Sequence, residues 1–199
     1  MGDGNILREL FPQRTYTRLR GYDYSQPGFY FVTICTRDKE CLFGVVEQES
    51  MNLNAFGEIV RECWKGIPQH CAGIENEVFV VMPNHVHGII VITERTLTAD
   101  RNGRSGSKPD PTRHSLSEIV RGFKTYSARA INERRRSQGI PVWQRGFYEH
   151  VIRDDREYRR IGEYITHNAA KWEMDVMNPR QQTSLWGRVC DAARAALHE

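Results

Sequence analysis

Residues 77–93, EVFVVMPNHVHGIIVIT, hold two short apolar runs, Val78 to Met82 and Gly88 to Ile92, parted by Pro83-Asn84-His85-Val86-His87. Apolar runs this short, flanking a Pro-Asn pair, read as neighbouring strands joined by a tight turn. Both are apolar on both faces, which predicts that they lie centrally in a sheet covered by helices. His85 and His87 fall where the pair turns. In extended backbone, residues i and i+2 share a face, so the two imidazoles can converge on one metal ion while Val86 packs the opposite way. Imidazole suits first-row divalent ions, and an added oxygen ligand would keep the ion hard enough to hold a phosphate. An isolated His-x-His equally fits two turn histidines with no ligand role.

Upstream, FYFVTICT (Phe29 to Thr36) has the aromatic and β-branched composition of a strand. Leu42 to Glu47 and Met51 to Leu53 flank a polar segment and predict a small hairpin. Asn54 is placed to cap a helix whose stripe is Ile59, Val60, Cys63, Trp64 and Ile67, with Pro68 as its stop. Downstream, residues 94–113 are polar and rich in Gly, Ser, Pro and Arg, a flexible insertion. Ser115 and Glu118 form a capping-box pair ahead of a helix with the stripe Leu116, Ile119, Val120, Phe123, Tyr126 and Ile131. Residues 140–153 read as an extended connector, strand-like at Glu149 to Ile152 and held by bulky anchors such as Trp143. Asp154 and Glu157 then start a last helix to about Ala170, with Tyr158, Ile161, Ile165 and Ala169 facing the core. A further amphipathic stretch runs from Leu185 to Leu197. This order predicts an α+β fold, a central mainly antiparallel sheet covered by helices.

The 199 residues, 39% hydrophobic and 27% charged, suit one domain: an arm over 1–20, a domain over 21–172 and an extension over 173–199. The length argues against an eight-stranded α/β barrel, which needs about 250 residues. No apolar run approaches the roughly 20 residues of a membrane span, and no secretory leader pattern is seen, so the expected location is cytoplasmic. Five cysteines without a C-x-x-C pair indicate neither a disulfide framework nor a zinc ribbon. Residues 1–93 carry 8 Lys+Arg against 11 Asp+Glu, and residues 94–199 carry 20 against 14. Residues 101–136 alone hold ten basic and three acidic side chains, a density suited to a phosphate backbone and equally to a solvated face. Within them Arg121, Lys124 and Arg129 lie on or near the polar side of the Ser115 helix and are the candidate DNA contacts.

At roughly 100° per residue, Tyr164 and Asn168 of the last helix share one side, with Asn168 turned toward the apolar stripe and Tyr164 at its border. Asn168 could therefore supply a metal-ligating oxygen and Tyr164 a nucleophile. Periodicity fits an interfacial tyrosine with a satisfied asparagine just as well, and it does not place this helix beside the histidines.

VVMPNHVHGIIVI, then LSEIVRGFK, then WQRGFYEHVIRDDREYRRIGEYITHN, with RLRGYDYSQPGFYFVTICTRDKECLFG ahead of them, together resemble the REP-associated tyrosine transposases, within the single-tyrosine HUH transposases. The resemblance spans roughly residues 18–172. It implies a ferredoxin-like sheet of the HUH endonuclease type, with His85 and His87 as metal ligands, Tyr164 as nucleophile and Asn168 as third ligand. One departure touches Asn168: many relatives carry glutamine four residues after the tyrosine and others asparagine before proline, whereas this chain has Asn168-Ala169-Ala170.

The implied chemistry is Mg²⁺- or Mn²⁺-dependent transesterification of single-stranded DNA bearing hairpins or imperfect palindromes. It passes through a 5′-phosphotyrosine, within one chain or across a homodimer. Two other readings stand beside it: a non-catalytic single-strand or hairpin binder, and a water-using metal-dependent phosphodiesterase that ignores Tyr164.

Overall fold

The computed structural model describes Leu19 and residues 21–94 and 114–181. The expected N-terminal arm apart from Leu19, all but the edge of the 94–113 insertion, the 185–197 helix and Cys190 lie outside these residues. The elements in chain order are β1 (Gly28–Cys35), β2 (Gly44–Glu47), β3 (Ser50–Leu53), α1 (Ala55–Lys65), α2 (Ile67–His70), β4 (Ile74–Met82), β5 (His85–Ile92), α3 (Leu116–Arg134), β6 (Tyr148–Ile152) and α4 (Asp155–Thr166). Short 3-10 turns follow β1 (Arg37–Lys39) and α4 (Trp172–Met174). Four strands form an antiparallel sheet in the order β4-β5-β1-β6, and β2-β3 is a separate hairpin. The fold is the expected α+β type.

Alternation along β5 divides the core in two. Val86, Ile90 and Ile92 join Tyr30, Val32 and Ile34 of β1 against Trp64 of α1 and the Leu116, Ile119, Val120, Phe123 and Ile131 face of α3. On the other side Ile89 and Val91 meet Phe31, Ile152 and the Ile161 and Ile165 face of α4. His85 and His87 have the same parity as Ile89 and Val91, so they open onto the α4 side. At Gly88 the indole of Trp64 lies where a side chain would go: an added Cβ would fall 2.3 Å from its ring. The glycine lets α1 press onto the strand beside the histidines.

The caps form as expected. Asn54 accepts from the backbone N–H groups of Phe56 and Gly57, Ser115 and Glu118 close a capping box, and Asp154 accepts from the Glu157 N–H. Several expectations need correction. β4 is an edge strand, because side-chain apolarity reports on the two faces of a strand and not on its free hydrogen-bonding edge. Pro68 does not end α1, which stops at Lys65; it sits in the first turn of α2, where its missing N–H costs nothing. Tyr126 is 63% exposed, and the core position goes to Ser127, whose hydroxyl donates to the Phe123 carbonyl and accepts from Trp143 Nε1. Trp143 pins the connector between Phe43 and Phe123. Tyr158 sits at the rim of its cluster, its ring edge-on to Phe29 and its hydroxyl on Glu77. Finally, α4 ends at Thr166, and the turns beyond it lead the chain back toward the sheet.

Candidate metal centre

His85 and His87 are both fully buried, their rings 4.4 Å apart between centroids. The β1-β5 register sets Thr33 opposite His87 and Cys35 opposite His85. Each imidazole is held through Nδ1: Thr33 Oγ1 lies 2.8 Å from His87 Nδ1, and Asn84 Oδ1 lies 2.8 Å from His85 Nδ1. Anchoring Nδ1 leaves Nε2 of each ring to face the site.

The third element is α4. Tyr164, half-buried, packs edge-on to Phe31 and places its hydroxyl 3.1 Å from His87 Nε2. The structure thus brings the tyrosine and the histidine pair together, which periodicity did not do. Asn168 is 2% exposed, as expected, although it sits in the turn after the helix and not in its last turn. Among the described residues, His85 Nε2 and Asn168 Oδ1 are buried without a hydrogen-bond partner. Orphaned buried acceptors are costly, and a pair of them at one place is what a cation would relieve.

A further candidate ligand escaped the sequence reading. The 3-10 turn Trp172–Met174 delivers Asp175, 4% exposed, and ligand atoms of His85, His87 and Asp175 all lie within 4.8 Å of one another. Two imidazoles and a carboxylate, with the Asn168 amide oxygen nearby, could offer a nitrogen and oxygen donor set to a divalent cation. Asp175 lies in no periodic pattern, and only its placement reveals it.

The electrostatics fit ligands kept ready. Burial holds His85 down to about 3, with the Asn168 amide opposing and the Lys39 charge adding to the shift. Burial and the neighbouring His85 hold His87 well below the usual imidazole range, so both rings are neutral at neutral pH. Burial raises the Asp175 carboxyl, against the Met177 N–H and Lys39, which favour its charge. The Tyr164 phenol is raised by burial and by the Asp175 charge, and lowered in part by Asn168. Such a phenol needs local help to lose its proton.

The three α3 cations are not at this centre, because α3 covers the opposite face of the sheet. Arg121 is exposed and Arg129 pairs with Glu133 at the surface. Lys124 is committed elsewhere: its ammonium donates to the carbonyls of Gln144 (3.0 Å) and Gly146 (2.7 Å), and burial lowers it to about 8. Lys124 thus departs from the expected place on the open polar side of the helix: it ties α3 to the connector. No helix among the described residues is long and apolar enough to cross a membrane.

No protein-family model matches the chain. An uncharacterized Haemophilus influenzae protein is 40% identical over 173 residues, covering 82% of this chain and 92% of its own length. A second protein of that organism, provisionally named a REP-associated tyrosine transposase, is 22% identical over 149 residues, 75% of this chain and 74% of its own. Among solved structures, a REP-associated tyrosine transposase bound to a REP hairpin superposes with a TM-score of 0.50 at 22% identity, over 77% of this chain and 73% of that one. The chain thus belongs to one family with its 40% identical relative, shares its fold with a REP-associated tyrosine transposase, and resembles in sequence a protein provisionally so named.

Proposed function

We propose that the protein cuts and rejoins single-stranded DNA carrying hairpins, using Tyr164 as the nucleophile. The observation that carries this reading is the contact of the Tyr164 hydroxyl with His87 Nε2, beside Asp175 and the two orphaned buried atoms His85 Nε2 and Asn168 Oδ1. His85, His87, Asp175 and Asn168 would hold Mg²⁺ or Mn²⁺, which when bound polarises a phosphodiester and offsets charge developing on it.

In the reaction the Tyr164 oxygen bonds to phosphorus as the bond to the 3′ oxygen breaks, leaving a 5′-phosphotyrosine and a 3′-hydroxyl. The phosphoester bond energy is retained in the adduct, so the hydroxyl can attack in reverse. Tyr164 is aimed by its packing on Phe31, and its hydroxyl already lies beside the ligand atom Nε2 of His87, which spares orienting cost at the moment of attack. A groove between the β2-β3 hairpin and residues 169–181, lined by Val45, Pro83, Trp172, Met174 and Arg180, runs beside the centre. Trp172 links the two, its ring 6.0 Å from that of His85, and offers a stacking surface to an unpaired base. Arg121 and Arg129 are the proposed phosphate contacts on the far face, and Lys124 contributes there through the loop it holds.

Incubation with hairpin-bearing single-stranded DNA and Mn²⁺, read on a denaturing gel, tests the proposal. A protein-linked strand with a free 3′-hydroxyl supports it. Free 5′-phosphate ends without an adduct indicate a water-using phosphodiesterase, and binding without cleavage indicates a passive hairpin binder.

A further inference from the structure

We propose that Asn84 is a positioning residue that fixes the tautomer of His85 and couples it to the segment carrying Asp175. This rests on the metal-centre reading for its consequence in affinity. Asn84 is 1% exposed, in the turn between β4 and β5. Its Nδ2 donates to two backbone carbonyls, Lys39 O at 3.0 Å and Met177 O at 2.8 Å. Both amide hydrogens are thereby used, and turning the amide over would set its oxygen against two carbonyl oxygens.

Oδ1 must therefore be the atom facing His85 Nδ1, at 2.8 Å. It can only accept, so Nδ1 carries the proton and Nε2 of the neutral ring presents its lone pair to the site. The other tautomer would oppose two acceptors at Nδ1 and leave a buried N–H unpaired at Nε2, which has no hydrogen-bond partner among the described residues. The same amide reaches across the chain. Met177, whose carbonyl it grips, donates its N–H to Asp175 Oδ1 at 2.7 Å. One side chain thus sets the donor atom of His85 and anchors the turn that brings in Asp175.

The full-length chain, labelled with ¹⁵N-histidine and stripped of metal, gives the tautomer directly from its imidazole nitrogen shifts. Free Mn²⁺ followed by electron paramagnetic resonance gives the affinity. The expected result is an Nδ1–H His85 in the wild type, a mixed or reversed tautomer in Asn84→Ala, and Mn²⁺ affinity about 10- to 100-fold lower in that variant. Asn84→Asp keeps an acceptor for Nδ1–H while losing both donors, and should retain the tautomer; it serves if Asn84→Ala does not fold. An Nε2–H His85 in the wild type, or Asn84→Ala with unchanged tautomer and affinity, overturns the proposal. A wild-type protein that binds no Mn²⁺, yet whose tautomer depends on Asn84, refutes the metal reading and upholds the hold of Asn84 on His85.

Discussion

Lowering the pH from 7.5 to 5.5 should remove about 3 kcal/mol of folding stability from the metal-free protein through His85 and His87 alone. Both are fully buried, His85 held down to about 3 and His87 well below its usual range. In the unfolded chain each titrates near 6.5, so at pH 5.5 the free energy of protonating the unfolded ring is RT ln 11, about 1.4 kcal/mol per histidine, against about 0.1 at pH 7.5. The sign follows from which state binds protons. With the folded values depressed, the unfolded chain binds more protons below 6.5. Stability is complete above 6.5 and falls as pH drops through it toward about 3. Asp175, raised by burial, works the other way, and it is present in both proteins of the comparison below. Urea unfolding in chelator at pH 7.5, 6.5 and 5.5, for the wild type and a His85→Asn, His87→Asn double variant, isolates the pair. The wild type should lose about 3 kcal/mol more than the variant; a difference under about 1 kcal/mol would refute the claim that both rings are buried neutral.

Four further outcomes follow from particular side chains. Gly88→Ala should cost about 1–3 kcal/mol in urea unfolding, since its Cβ would collide with the Trp64 ring and something in the core must move. Asp175→Asn should weaken Mn²⁺ binding at least tenfold without loss of fold, read by electron paramagnetic resonance, because it removes the one carboxylate among the donors. Replacing Arg121 and Arg129 with Gln should leave stability nearly unchanged and lessen the salt slope of single-strand binding by up to about 1.4. Lys124→Met should instead cost about 1–3 kcal/mol, since it releases two carbonyls of the connector.

Much of this architecture is legible in the sequence because local rules govern it. The two-residue period put His85 and His87 on one face, and the caps at Asn54, Ser115 and Asp154 placed three helix starts. What stayed hidden depends on contacts between distant segments. Asp175 belongs to no helix or strand and enters the site only because the chain turns back after Thr166. The contact of Tyr164 with His87 spans 77 positions and needs the packing of α4 on the sheet. Lys124 looks like any surface cation in a helical wheel, and its commitment to Gln144 and Gly146 is set by where the connector runs. The edge position of β4 escapes a reading of its apolar run Val78 to Met82 alone; the whole strand starts at Ile74-Glu75-Asn76-Glu77 and is only partly buried, whereas β5 is buried throughout.

The central claim, that Tyr164 attacks DNA, is tested most directly by trapping the protein-linked strand and mapping the modified peptide by mass spectrometry. Tyr164→Phe serves as control: it removes one hydroxyl and its contact with His87, about 0.5–1.5 kcal/mol, while keeping the ring against Phe31, so the variant should fold and bind hairpins. The account predicts DNA on the peptide containing Tyr164 and no adduct in the variant. DNA on another tyrosine, such as Tyr148 of β6, or an undiminished adduct in Tyr164→Phe, would contradict it.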